Sequence, residues 1–189
     1  MQRLHLVRHA SPDIEPGTCY GRLDVGVTES PTVTAERLRP LLPADYTLVT
    51  SPLSRCRRLA EALGTSEIDA RLAEMDFGEW EGRLFNDIAR EDIDAWATRP
   101  LDFRPPGGET AREMALRVIS ALDDLRRMPK SDVVVVTHGG PMRVMAAVLL
   151  GEWGGDEGAW LARRFGFGEV VEFEVDGYGG VAMRIVGPS

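Results

Sequence analysis

Cysteine is scarce in this chain, whose 189 residues include only Cys19 and Cys56. Two cysteines cannot form a disulfide framework, and their spacing matches no zinc-binding motif. Their scarcity predicts a protein of a reducing compartment, and we therefore expect a cytoplasmic location. A chain of this length buries enough surface on folding that neither disulfides nor a structural metal is required.

Long hydrophobic runs and an excess of positive charge are also missing. The longest strongly apolar run, 144–150, is far shorter than the roughly 20 residues that span a bilayer. The first residues show no basic segment followed by an apolar stretch and a cleavage site, so we expect no secretory signal. With 22 basic and 30 acidic residues, the net charge of −8 argues against nucleic acid or an anionic membrane as partner.

Strand-like and helix-like segments alternate along the chain. The patterns predict strands at 4–7, 46–50, 67–72, 132–137, 170–175 and 181–186. They predict helices at 33–42, 52–63, within 85–96, at 110–128 and at 139–150. Four successive valines within 132–137 favour a central parallel strand that is covered on both faces. We expect one α/β domain over 1–189, built as three α/β/α layers around a mainly parallel sheet.

Two details of these elements are also predicted. Ser51 and Pro52 have the pattern of a helix start, with Ser51 as the N-cap and Pro52 in the first helical position. Residues 176–180 are expected to form the turn of a C-terminal hairpin.

Cationic and imidazole side chains stand where three predicted strands end. Arg8 and His9 follow the first strand, Arg55 lies in the first helical turn after the second, and His138 ends the valine strand. Each alone is more often a structural or solvated residue. Ligands bind beyond the carboxyl ends of strands in open α/β sheets, so together these four side chains predict a compact anion site.

Four stretches of the sequence resemble the histidine phosphatase superfamily, also called phosphoglycerate mutase-like. They are Leu-Val-Arg-His-Ala at 6–10, Ser-Pro-Leu-Ser-Arg-Cys at 51–56, Leu-Ala-Glu-Met-Asp-Phe-Gly-Glu-Trp-Glu-Gly at 72–82 and Val-Thr-His-Gly-Gly at 136–140. The resemblance implies the phosphoglycerate mutase-like fold and a phosphatase that uses no cofactor. It implies that His9 is the nucleophile that becomes phosphohistidine and that Glu74 donates a proton. Arg8, Arg55 and His138 would bind the phosphoryl group.

Phosphoryl-transfer chemistry agrees with those implied roles. The transition state spreads charge over three oxygens, which two permanently cationic arginines can hold with paired donors. An attacking His9 must be neutral, with its other nitrogen donating to a partner such as a backbone carbonyl. Spacing alone does not choose the proton donor, because Asp76, Glu79 and Glu81 lie close to Glu74 in the sequence.

A shared metal ion is the rival explanation for the histidines. His5 and His9 are four residues apart, but in a strand that separation is roughly 13 Å, too far for one ion. We therefore expect no metal site.

Two positions depart from the family pattern. Ala10 stands where the family commonly has glycine, and Glu15 lies near the position of an asparagine that helps to bind phosphate. The chain is also too short for the insertions of cofactor-dependent phosphoglycerate mutases. The resulting open pocket favours transfer to water.

The loops at 17–24, 27–29 and 105–110 resemble the α-ribazole phosphatase branch, which acts late in cobalamin nucleotide-loop assembly. The resemblance makes α-ribazole 5′-phosphate the preferred substrate, with Tyr20, Gly21, Arg22 and Gly139 as candidate contacts. A broad sugar-phosphate phosphatase, a mutase-like enzyme and a non-catalytic phosphate-binding module remain alternatives. Tryptophans 80, 96, 153 and 160 are expected to be packing residues.

Overall fold

A computed structural model describes residues 2–154, 160–175 and 180–186, in which six strands form one sheet. The strands are β1 (Gln2–Arg8), β2 (Thr47–Thr50), β3 (Glu67–Ile68), β4 (Asp132–Thr137), β5 (Val170–Val175) and β6 (Val181–Val186). Their order across the sheet is β3-β2-β4-β1-β5-β6, and the first four are parallel. β5 pairs antiparallel with β1, and β6 pairs antiparallel with β5. The predicted mainly parallel sheet is confirmed.

Within the described ranges, five α-helices with stated bounds flank this sheet. They are α1 (Pro31–Leu38), α2 (Ser54–Leu63), α3 (Arg90–Thr98), α4 (Ala111–Leu125) and α5 (Gly139–Leu149). Short 3₁₀ turns cover Arg39–Leu41, Ala70–Leu72, Gly78–Trp80 and Phe85–Asp87. The predicted segment 67–72 is therefore mostly not strand, since only its first two residues pair with β2. Among the described residues, no helix is long and apolar enough to cross a membrane.

The valines of β4 explain the three layers. Val133 and Val135 pack with α4 and α5 on one face of the sheet. Val134 and Val136 pack with α1 and α2 on the opposite face. Because successive strand residues point to opposite faces, an uninterrupted valine run suits a strand covered on both sides. The α/β/α prediction is confirmed.

The predicted start of α2 is wrong. The helix begins at Ser54, with Leu53 in the N-cap position and no side-chain cap. Ser51 is instead fully buried, and its hydroxyl lies 2.7 Å from Nε2 of His138. The end of the helix at Gly64 is as predicted.

The predicted C-terminal hairpin is present as the antiparallel pair β5 and β6. Residues 176–179 of its predicted turn lie outside the described residues. The assignment of 1–189 to one domain stays a prediction.

Candidate active site

The two histidines meet because β1 and β4 are parallel neighbours. Arg8 is in register with Thr137, so the next residues, His9 and His138, leave the sheet side by side. Their ring centroids are 5.1 Å apart, and the rings are inclined at 62°. The backbone N–H of His9 also donates to the carbonyl of Thr137 at 3.2 Å. The predicted convergence of strand ends therefore occurs.

The His9 ring is held in one tautomer by its own backbone. Nδ1 lies 2.7 Å from the carbonyl oxygen of Ala10, which can only accept, so Nδ1 carries the proton. Burial, together with the positive charges of Arg55 and Arg8, lowers the pKa of His9 to about 3. The ring is therefore neutral at ordinary pH, and Nε2 carries a lone pair.

His138 is fully buried at the N-cap of α5. Its Nε2 lies 2.7 Å from the Ser51 hydroxyl and 3.4 Å from Sγ of Cys56. Burial, and then the charge of Arg55, holds the pKa of His138 well below its usual value. Both imidazoles are thus neutral, and the positive charge of the site comes from the arginines.

Arg55 is buried, with 2% of its surface exposed, and is fixed by backbone carbonyls. Its Nη2 donates to Gly21 at 2.6 Å and its Nη1 donates to Leu23 at 2.9 Å. The Tyr20 ring lies 5.5 Å from the guanidinium carbon. Nε of Arg55 is buried and has no hydrogen-bond partner among the described residues.

Arg8 approaches the site from the end of β1. Its Nη1 donates to the carbonyl of Phe165 at 2.6 Å, and the Phe167 ring lies 3.8 Å from its guanidinium carbon. Burial lowers the pKa of Arg8, while Tyr20 and Glu74 oppose that shift. Its Nε is also buried without a hydrogen-bond partner among the described residues. Sequence reasoning missed both phenylalanines, because no motif marks that segment.

Glu74 is the carboxylate that reaches the site. Its Oε2 accepts from the backbone N–H of Gly140 at 3.1 Å, and Oε1 accepts from Met75 at 3.0 Å. Gly140, the second glycine after His138, permits this approach, since a Cβ there would lie 2.1 Å from Oε1 of Glu74.

The competing carboxylates have other partners. Asp76 accepts from the backbone N–H of Gly78 at 2.9 Å, and Glu81 accepts from the backbone N–H groups of Phe77 and Arg22 at 2.9 and 2.8 Å. Glu79 is exposed. Glu74 therefore remains the candidate proton donor among these four carboxylates.

Arg117 of α4 supports the Glu74 segment and was not found from the sequence. Its Nη1 donates to the carbonyls of Arg71 and Ala73, both at 2.7 Å. Its Nη2 donates to the carbonyl of Glu74 at 3.0 Å and pairs with Glu109. These bonds fix the backbone that carries the carboxylate.

A cavity of about 660 Å³ opens beside Glu74. Its aromatic wall is formed by Tyr20, Phe77, Phe85, Trp96 and Trp160. Trp96 and Trp160 therefore line a pocket in addition to packing, whereas Trp80 is buried in an aromatic cluster as expected.

The predicted substrate contacts have different surroundings. Tyr20 lines the cavity, and the carbonyl of Gly21 holds Arg55. Gly139 lies beside Arg8, whose guanidinium carbon would be 3.5 Å from a Cβ at that position. The Arg22 side chain, 44% exposed, lies 3.7 Å from Asp76 and turns to acidic neighbours.

The two residues that depart from the family pattern are both among the described residues. Ala10 supplies the carbonyl that orients His9, which a glycine would supply equally well. Glu15 is exposed.

In the described parts of the chain, no three histidine, cysteine or carboxylate residues are grouped so that they could hold a metal ion.

The family model for the histidine phosphatase superfamily (branch 1) matches residues 4–186. The chain belongs to this superfamily. Phosphoserine phosphatase 1 of Hydrogenobacter thermophilus is 33% identical to this histidine phosphatase over 163 residues, which are 80% of this chain and 77% of the relative.

Two solved structures share the fold of this histidine phosphatase. The α-ribazole phosphatase of Shigella flexneri has a TM-score of 0.83 at 23% identity, covering 99% of this chain and 96% of that one. A mycobacterial glucosyl-3-phosphoglycerate phosphatase in complex with VO3 has a TM-score of 0.77 at 26% identity, covering 99% and 98%. The phosphoglycerate mutase-like fold and phosphatase activity on small phosphate esters follow from this membership.

Proposed function

We propose that this enzyme hydrolyses phosphomonoesters in two steps through a phosphohistidine at His9. The orientation of His9 by Ala10 carries the proposal, because it leaves the Nε2 lone pair of a neutral ring facing the arginine-lined site. In the first step Nε2 bonds to phosphorus and the ester P–O bond breaks. Glu74 gives its proton to the departing alcohol oxygen.

The second step returns the enzyme to its starting state. The Glu74 carboxylate takes a proton from water while the water oxygen attacks phosphorus. The N–P bond breaks, inorganic phosphate leaves, and His9 regains its lone pair.

Arg8 and Arg55 stabilise the phosphoryl oxygens in both steps. Arg55 is buried and held by two backbone carbonyls, whereas Arg8 is partly buried and held by one. Donors that are fixed in this way before the reaction stabilise a developing charge more strongly than mobile ones. His138 is a neutral hydrogen-bonding partner, and Ser51 sets the direction of its ring.

Trapping the intermediate tests the covalent step. Substrate labelled with ³²P, mixed with enzyme and quenched in alkali, should leave label on His9, since a phosphoramidate survives base but not acid. His9→Ala should abolish both label and turnover, and His138→Ala should slow formation and breakdown of the label. The matched control is His5→Asn, because His5 contacts Asp132 and not this site. A His9→Ala enzyme that kept most of its rate would show that water attacks phosphorus directly.

We propose α-ribazole 5′-phosphate as the substrate, which would place the enzyme in cobalamin nucleotide-loop assembly. A cavity of about 660 Å³ with an aromatic wall fits a ring-bearing alcohol, and the fold resembles that of an α-ribazole phosphatase. The buried, unpaired Cys19 and Cys56 support a cytoplasmic location, and the net charge of −8 argues against nucleic acid as partner.

Phosphoserine is the second candidate, because a phosphoserine phosphatase is among the sequence relatives. Comparing kcat/KM for α-ribazole 5′-phosphate, phosphoserine, sugar phosphates and phosphoglycerates tests both candidates. The proposal expects the highest value for α-ribazole 5′-phosphate. A higher kcat/KM for phosphoserine would replace it.

A further inference from the structure

Phe167 is an aromatic residue in an unusual position. Its ring lies 3.8 Å from the guanidinium carbon of Arg8, and its centroid is 5.6 Å from that of His9. The side chain is 42% exposed, and it belongs to none of the hydrophobic clusters formed by the described residues. Core packing therefore does not account for it.

The backbone around Phe167 is fixed against the same two residues. The N–H of Gly168 is within 3.1 Å of the carbonyl oxygens of both Arg8 and His9. The N–H of Arg8 donates to the carbonyl of Glu169 at 3.1 Å. Gly168 has a φ of +67°, a conformation that side-chain-bearing residues rarely adopt, and this turn presents the preceding ring to Arg8. These backbone hydrogen bonds hold the segment that carries Phe167 against Arg8 and His9, the two residues that its ring contacts.

Arg8 needs such a support. Its guanidinium is desolvated, one terminal nitrogen is bound to the carbonyl of Phe165, and Nε has no partner among the described residues. The hydrogen bond to Phe165 and the interaction with the Tyr20 hydroxyl fix the guanidinium at its edges, but neither covers its face. An aromatic face stacked on the guanidinium restricts its plane and excludes water from one side.

We propose that Phe167 is a positioning residue for phosphoryl transfer. It holds the Arg8 guanidinium in the plane in which Arg8 meets the phosphoryl oxygens, and it shields the adjacent His9 ring. This role rests on the proposed function, in which Arg8 binds the phosphoryl group. It adds a residue from outside the four sequence motifs to the phosphate site.

Orthovanadate is the probe, since it resembles the five-coordinate phosphorus and its binding can be measured by calorimetry without turnover. Phe167→Ala should weaken vanadate binding by about 2- to 30-fold, the range of a guanidinium–aromatic contact. Phe167→Tyr should bind as the wild type does, because it keeps the ring. Phe167→Leu should remain weakened, since it keeps bulk but no aromatic face. The control is Ile185→Ala on β6, where the side chain is 63% exposed, and it should change nothing.

A double-mutant cycle separates positioning from a general structural effect. In an Arg8→Met background, Phe167→Ala should have no further effect on vanadate binding, because the ring acts through Arg8. Equal weakening in both backgrounds would overturn the proposal, as would wild-type affinity in Phe167→Ala or in Phe167→Leu. Should Phe167→Ala fail to fold, the Leu and Tyr variants still decide.

A negative result for Phe167 can be distinguished from a failure of the proposed phosphohistidine mechanism. Absence of label on His9 of the wild type would refute the phosphohistidine mechanism. The calorimetric comparison of Phe167 variants would still report whether the ring positions Arg8 for an oxyanion.

Discussion

Glu74 and Gly140 are joined by a hydrogen bond of 3.1 Å from the backbone N–H of the glycine to Oε2 of the carboxylate. The two residues are 66 positions apart in the sequence and belong to different motifs. It holds the Glu74 carboxylate, the proposed acid, against the first turn of α5, the helix that begins directly after His138. The carboxylate also lies beside the aromatic cavity.

Glu74→Gln keeps the size of the side chain but removes its transferable proton. Loss of a general acid typically costs about 10²–10⁴-fold, and this loss should fall on alkyl phosphates, whose leaving groups need protonation. Hydrolysis of 4-nitrophenyl phosphate should fall much less. Steady-state rates for the two substrate types measure the difference, with the exposed Glu79→Gln as the matched control. Equal losses for both types would move the role to another carboxylate.

Gly140→Ala tests the geometry of Glu74 without changing its chemistry. A Cβ at this position would lie 2.1 Å from Oε1 of Glu74 and 3.0 Å from Sδ of Met114, so the carboxylate must move. We expect the same selective loss on alkyl phosphates that Glu74→Gln produces. Gly26→Ala is the control, because no atom lies within 4 Å of a Cβ there. Retention of the wild-type alkyl phosphate rate by Gly140→Ala would show that the carboxylate position is unimportant.

The central part of the fold and site could be predicted because simple regularities govern it. The valines of β4 pack on both faces of the sheet, as a buried parallel strand requires. Parallel strands end at one edge, so Arg8, His9 and His138 meet there.

The errors concern contacts that local sequence does not specify. Ser51 resembles a helix cap locally, but its hydroxyl pairs with His138, 87 residues away. Phe167 and Arg117 reach the site from segments without a recognisable motif. The neutral state of both imidazoles follows from burial and from nearby guanidiniums, which only the folded chain brings together.

Both cysteines should resist thiol reagents while the protein is folded. Burial raises the pKa of Cys19 to about 12 and raises the pKa of Cys56 further above its ordinary value. Because the thiolate is the reactive form, Ellman's reagent should label neither residue in buffer and both in urea. Activity should survive the reagent in buffer. Rapid native labelling with loss of activity would mean that the site opens around Cys56.

Hydrolysis of an aryl phosphate should be unaffected by excess EDTA. Arg8 and Arg55 supply the positive charge that the transferring phosphoryl group needs. The measurement is the rate before and after prolonged incubation with the chelator, with a magnesium-dependent phosphatase as the control for chelation. Loss of activity that zinc or magnesium restored would contradict the arginine-based site.

Stability should fall as the pH is lowered from about 8 to about 5, because His9 and His138 are buried in the neutral form. The pKa of His9 falls from 6.5 in the unfolded chain to about 3 in the fold, and the pKa of His138 also lies well below 6.5. The unfolded chain therefore binds more protons below pH 6.5, and the free energy of unfolding decreases with falling pH. The expected loss from His9 is about 2 kcal/mol across this interval, and His138 adds to it in the same direction.

Urea unfolding at pH 8, 6.5 and 5 measures that loss. Most carboxyl groups titrate below this interval, so the two site histidines should dominate it. His9→Asn removes one of the two titrating rings and should reduce the pH dependence by about 2 kcal/mol. Its stability relative to the wild type should consequently improve as the pH falls. A wild-type protein as stable at pH 5 as at pH 8 would mean that the rings take up protons in the folded state, where His9 would then lack the lone pair that attack on phosphorus requires.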